Sequence, residues 1–199
     1  MIPIHRHYHK NGILVVDKPS GLPSQPTKDQ DNNLYDQLRT EFPYLALHHR
    51  LDTPVSGLLL LCTQKKWNKA IAQAFQNHEI KRGYWAVCLG QTPPQGIWDW
   101  NIQGKHARTI FKTQYFADGW SVLHLSLETG RMHQIRKHAM MSGHPILGDR
   151  RYGGAASKLC PRIALHAHTL SFIHPATQDE CKIISPLPPP LALYTPHSH

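Results

Sequence analysis

Four consecutive leucines, Leu58 to Leu61, inside the stretch ALHHRLDTPVSGLLLLC of residues 46–62, place the tightest constraint on what this chain folds into. A run of that length suits a strand covered on both faces, although a short apolar run is not by itself distinguishable from a piece of buried helix. Turn chemistry precedes it: Pro54 fixes its own φ and biases Thr53 toward extended backbone. An acid, Asp52, and a base two residues earlier, Arg50, therefore stand at the mouth of a core element. Asp52 is either a loop carboxylate bonded to nearby backbone or a functional acid on a rigid mount, and the local residues leave both readings open.

The rest of the pattern predicts an α+β protein, a largely antiparallel mixed sheet with helices packed on it. Residues 1–11 are polar and His-rich and read as a flexible N-terminal arm. A short strand, Ile13 to Val16, breaks at the turn signal Asp17-Lys18-Pro19-Ser20-Gly21. Apolar residues at 34, 38 and 42 mark a helix ended by Pro43, and Trp67, Ala70, Ile71, Ala74 and Phe75 mark a second with Thr63 as its cap. KRGYWAVCLG reads as a strand followed by a Pro- and Gly-rich loop through Gly96; RTIFKTQYF and SVLHLSLET read as a hairpin around Ala117-Asp118-Gly119. GRMHQIRKHAMMSGH gives a third helix, and strands follow near 163–173 and 181–184. With no internal repeat and no long linker, residues 12–190 are expected to form a single domain, with 191–199 as a C-terminal tail.

At 199 residues the chain is long enough to bury a core without staples. The four cysteines lie far apart with no C-x-x-C pair, so free thiols are expected rather than a zinc or redox motif. No run of about 18 apolar residues and no signal pattern occurs, which makes a cytoplasmic location the expectation. With 22 Lys and Arg against 13 Asp and Glu, the net charge of +9 favours a polyanionic partner such as nucleic acid. The 16 histidines invite a metal hypothesis, but no H-E-x-x-H or similar pair supports it, and His166 and His168 alternate as in a strand. His197 and His199 sit near the end of the chain.

Polar residues stand beside core elements in two further places: Tyr84 in KRGYWAV and Arg136 in GRMHQIRKH. On a helix from Arg131, Arg136 shares a side with Met132, Ile135 and Ala139. Such an arginine is either a surface residue whose stem covers the core or a buried cation that needs an acid.

HHRLDTPVSGLLLL resembles the HRLDxxTSGLLL motif of the RluA-type RNA pseudouridine synthases. KRGYWAV is similar to that family's K-x-Y-x-A-x-V strand, GRMHQIRKHAMMSGHPILGDRRYG to its GRTHQIRVH…GHPIxGDxxYG segment, and IALHAHTLSFIHPATQD…SPLP to its closing pattern. The likeness runs in order from about Gly12 to Pro189, nearly the whole chain. It implies the family's catalytic fold with a central cleft, and an enzyme that breaks a uridine's glycosidic bond in RNA, turns the uracil and rejoins it through ring carbon five. It implies no cofactor and no metal. Residue by residue it makes Asp52 the catalytic aspartate, Arg50 the basic residue before it, Tyr84 the active-site tyrosine and Arg136 the arginine that pairs with the aspartate.

That chemistry suits these types, since a guanidinium holds a carboxylate ionised and aimed, and a tyrosine stacks on a base and relays a proton. His49 either inserts toward the RNA when the target nucleotide is extruded or is a structural loop histidine. Lys18 and Lys81 are candidate phosphate contacts. Val55 and Met132 depart from the family's usual threonines, the small N-terminal RNA-binding domain of some members is absent, and Pro54 resembles the tRNA-modifying relatives. The expected partner is thus a tRNA or rRNA stem-loop, with no membrane, bound by a monomer. The competing reading is a catalytically inactive basic RNA-binding or chaperone protein on the same fold.

Overall fold

The computed structural model describes residues 3–28 and 30–194. In chain order the strands are β1 (His5–Lys10), β2 (Ile13–Lys18), β3 (Ala46–Leu47), β4 (Ser56–Cys62), β5 (Lys81–Leu89), β6 (Gln95–Asp99), β7 (Arg108–Ala117), β8 (Trp120–Leu127), β9 (Leu165–Ile173) and β10 (Glu180–Ile184). The helices are α1 (Leu34–Arg39), α2 (Asn68–Gln76), α3 (Gln134–Met141) and α4 (Pro189–Ala192). This is the α+β architecture that the sequence predicts. The span expected as a single domain divides into two compact units, one running to Lys81 and resuming at Ala167–Ser185, the other Arg82–His166 with the segment from Pro186.

In the first unit β1, β2 and β4 lie side by side and antiparallel, β9 follows β4, and β10 pairs with β9. β4 is buried along its whole length, on both faces, as four leucines in a row demand. Val15 faces Leu60 across the β2–β4 pair, and these join Ile13, Leu58, Leu170 and Phe172 in a cluster that α2 covers with Ile71. Each fully buried leucine contributes roughly 1.5–3 kcal/mol, which makes β4 a firmly held part of this unit. α1 begins at Asn33, whose side-chain oxygen accepts the Asp36 N–H at 2.9 Å.

Several sequence expectations need correction. Residues 5–10 are a strand, not a flexible arm: β1 pairs with β2 through a two-residue turn in which Asn11 and Gly12 both take positive φ, 45° and 88°. Thr63 does not cap α2; its N–H binds the Gly12 carbonyl and a 3-10 turn, Lys65–Trp67, leads into the helix. The 191–199 tail begins inside α4, where Leu191 is buried, while His197 and His199 lie outside the described residues.

The second unit orders its antiparallel strands β5-β8-β7-β6. The hairpin at Asp118-Gly119 falls where the sequence puts it, but β6 occupies the end of a stretch that reads as loop. α3 starts at Gln134, three residues later than Arg131, because His133 adopts φ 57°, in the left-handed region that ends helical continuity. Ile135, Arg136 and Ala139 are buried as expected, whereas Met132, outside the helix, is 51% exposed. Gln134 fixes the start of α3: its Oε1 accepts from the Arg131 N–H and the Thr129 hydroxyl, and its Nε2 donates to the Arg108 carbonyl.

Candidate functional site

Asp52 lies in a turn closed by the Val55 N–H on the Asp52 carbonyl, 3.0 Å, immediately before β4. The segment 18–24 stitches this turn in place. Gly21 N–H donates to Thr53 O at 2.8 Å, the Ser20 hydroxyl to Pro54 O at 2.6 Å, and the Ser24 hydroxyl to Leu51 O at 2.8 Å while accepting from Leu51 N–H. Asp52 itself is half-buried and Arg50 exposed. The carboxylate therefore rides on backbone held from both sides, by an inflexible strand and by a second loop.

Lys18 is the centre of that stitching. Its ammonium is 0% exposed and donates to the carbonyls of Pro19, Leu22 and Thr53 at 2.9, 2.7 and 3.2 Å. Enclosed by these carbonyls, the cation ties the Asp52 loop to segment 18–24. Lys81 is exposed, with its ammonium on the His78 carbonyl at 2.8 Å.

His49 is built into the first unit beside β4. It is 8% exposed, its Nε2 accepts the Leu60 N–H at 2.9 Å, and its ring rests on Phe75 with centroids 4.7 Å apart. The ring is thereby bonded to the backbone of β4. Other histidines are likewise hydrogen-bonded inside their units: Nε2 of His138 donates to Trp100 O at 3.2 Å while its Nδ1 accepts from Thr109, and His168 Nδ1 meets Ser185 O at 2.6 Å. Among the described residues no group of three or more His, Cys, Asp or Glu is arranged to hold a metal ion. Cys62, Cys88, Cys160 and Cys181 are free thiols, and burial pushes the Cys88 thiol far up.

In the second unit Tyr84 is a buried residue of β5, opposite Leu125 on β8. Arg136, on the buried side of α3, has a partner that the sequence reading did not name. Its Nε and Nη2 donate to Oδ2 and Oδ1 of Asp149, both at 2.8 Å, a bidentate pair with side chains 6% and 1% exposed. Asp149 Oδ1 also accepts the backbone N–H groups of Arg151 and Tyr152, at 3.0 and 3.1 Å. Burial pushes the Asp149 carboxyl up, but the Arg136 hydrogen bonds and charge, with those two N–H groups, outweigh it and hold it below the ordinary carboxylate range. The ring of Tyr152 lies under the guanidinium, 5.0 Å from centroid to Cζ, and its hydroxyl meets His133 Nδ1 at 2.9 Å. The only signal for this set in the sequence is Gly148-Asp149-Arg-Arg-Tyr152-Gly153, which reads locally as a turn.

Comparisons with known proteins converge. Residues 12–140 match the family model described as RNA pseudouridylate synthase. The dual-specificity RNA pseudouridine synthase RluA of Escherichia coli K12 is 33% identical over 189 residues, 85% of this chain and 86% of that protein. An uncharacterized RNA pseudouridine synthase of Bacillus subtilis, YjbO, is 33% identical over 210 residues, 94% of this chain and 74% of its own length. Among solved structures, human RNA pseudouridylate synthase domain containing 1 superposes with a TM-score of 0.76 at 25% identity, covering 92% of this chain and 83% of the human one.

Proposed function

This chain belongs to the RNA pseudouridylate synthase family, and from that membership we propose that Asp52 is the carboxylate through which it isomerises uridine to pseudouridine in RNA. Tyr84 and Arg136 serve the same reaction, and Arg50 contacts the RNA. The observation that carries the assignment of Asp52 is its mount, a turn bonded to segment 18–24 and running directly into the fully buried β4. A reaction that needs one carboxylate oxygen at one reacting carbon gains from a support this stiff, because orientation is a large part of its barrier.

The steps follow from residue chemistry. The ionised carboxylate acts at the ring or at the sugar as the glycosidic bond breaks, the uracil turns, and ring carbon five joins the anomeric carbon. The Tyr84 ring stacks on the uracil and its hydroxyl handles the last proton. Arg136 is a directional donor, fixed in plane, in keeping with a need to hold an acid ionised. The substrate is a tRNA or rRNA stem-loop whose target nucleotide leaves its stack to be reached, bound in the cytoplasm by a monomer with a net charge of +9.

Pseudouridine mapping of total RNA with and without the gene, paired with the purified chain acting on unmodified transcripts, tests this reading. One or more uridines converted only when the chain is present is the expected result. Identical maps and no conversion by the purified chain would overturn it.

A further inference from the structure

We infer that Asp149, together with the ring of Tyr152, is a positioning residue that aims Arg136 for the reaction. This rests on the reading that Arg136 serves uridine isomerisation. A guanidinium has five N–H groups in one plane, and its direction is set once one edge and one face are fixed. Asp149 takes the Nε–Nη2 edge with two hydrogen bonds of 2.8 Å, and the Tyr152 ring takes a face at 5.0 Å. The remaining N–H groups, one on Nη2 and two on Nη1, then have fixed directions in that plane.

Asp149 is itself held in place. Two backbone N–H groups fix its Oδ1, and its own carbonyl accepts the Gly153 N–H at 2.7 Å. Gly148 has φ 71°, and a Cβ there would stand 2.0 Å from the Arg162 carbonyl oxygen; a Cβ on Gly153 would stand 2.4 Å from the Asp149 carbonyl oxygen. The loop backbone on both sides of the carboxylate thus packs at a distance only glycine allows. Tyr152 is anchored at its far end by His133, the residue whose left-handed backbone starts α3. Clamp and helix start are thus one construction.

The pairing also changes what Arg136 supplies. With an ionised carboxylate against it, the pair carries no net charge, so its value to the reaction lies in the direction of its donors and not in excess positive potential. Losing Asp149 would misaim a donor without removing a phosphate contact.

The test uses the full chain with Asp149→Asn, which is near-isosteric and keeps an acceptor for the two loop N–H groups, and Asp149→Ala. Pseudouridine formation is followed on an unmodified transcript that the parent chain converts, with folding checked by circular dichroism at the assay temperature. Asp149→Asn should lower kcat by about tenfold or more, as a small misplacement of a reacting group does, with KM and the RNA dissociation constant within about twofold. The Nε–H of Arg136, observed by nitrogen-15 NMR, should exchange slowly in the parent and fast in Asp149→Ala and Asp149→Asn. A folded Asp149→Asn chain with kcat within about twofold of the parent, or with the Nε–H still protected, would overturn the inference. A parent chain that converts no transcript would instead overturn the proposed function, and this inference with it.

Discussion

The ammonium of Lys18 lies 3.2 Å from the carbonyl of Thr53, the residue that follows Asp52, and it holds that carbonyl together with those of Pro19 and Leu22. A buried charge so placed is expensive unless its acceptors stay assembled, so the two loops hold each other. Lys18→Met should cost about 3–5 kcal/mol, the size typical of removing one partner from a buried charged network. Urea unfolding measures it. Lys81→Ala, at an exposed residue, is the control and should leave stability nearly unchanged. Equal effects at both positions would contradict the tie.

Asp52→Asn keeps the shape of the side chain and removes its charge. Turnover should fall below about one percent of the parent, a barrier rise of about 3 kcal/mol, while RNA binding measured at the same salt persists. Residual turnover above that level would take the carboxylate out of the chemistry.

The excess of cations predicts how RNA is held. Arg50, Arg131, Arg150 and Arg151 are all exposed. Affinity should fall steeply from low to physiological salt, and removing one phosphate-contacting arginine should reduce the logarithmic salt slope by about one. A dissociation constant that is flat across that range would exclude phosphate contacts as the main source of affinity.

What was legible in the sequence is what hydrophobic patterning controls. Leu58 to Leu61 suit the doubly covered strand that they form, and Asp118-Gly119 marks the hairpin. β1 was hidden because its residues are polar throughout: it is held by backbone bonds to β2 and a few half-buried side chains, among them Tyr8. The signal that would have found it is Asn11-Gly12, the strongest short hairpin signature, ahead of an apolar run. The tertiary roles of Lys18 and Asp149 were hidden for a related reason. Lys18 lies among Asp, Pro, Ser and Gly and Asp149 between Gly148 and Gly153, where local chemistry says turn, and only tertiary contacts, with Thr53 in one case and α3 in the other, reveal what the side chain does.

Acid should weaken the fold through histidine before it does so through carboxylates. Burial lowers the pKa of His48, His138 and His168, and the bonds that His138 and His168 donate to the Trp100 and Ser185 carbonyls act the other way. Each group is harder to protonate folded than unfolded. Its contribution to stability is therefore fully present above an unfolded value of about 6.5 and is lost as pH falls through the lowered folded value. For His138 the geometry states the cost, because its Nδ1 accepts from Thr109 and a proton there would displace that bond. Melting temperatures measured from about pH 7.5 down to about pH 5 should decline on the acid side; a melting temperature that rises on acidification would contradict this.

Arg136→Ala has a pH signature that separates a broken buried pair from the loss of a surface charge. In the parent the Asp149 carboxyl is held below its ordinary range, so it stabilises the fold above its unfolded pKa of about 3.9 and that contribution disappears as pH falls through the folded value. Without Arg136 the burial that pushes the carboxyl up acts with only two backbone N–H groups against it. The folded pKa then rises, and where it exceeds the unfolded value the group favours folding only when protonated and opposes it as pH climbs. The stability difference between parent and variant should thus widen from mildly acidic to neutral pH, reaching about 3–5 kcal/mol. Comparing the two chains at each pH cancels the histidine contributions common to both. Lys137→Ala, half-buried on the neighbouring face of α3, should show a small difference that is flat with pH. A gap for Arg136→Ala that is equally flat would mean that the Asp149 carboxylate is carried by something other than Arg136.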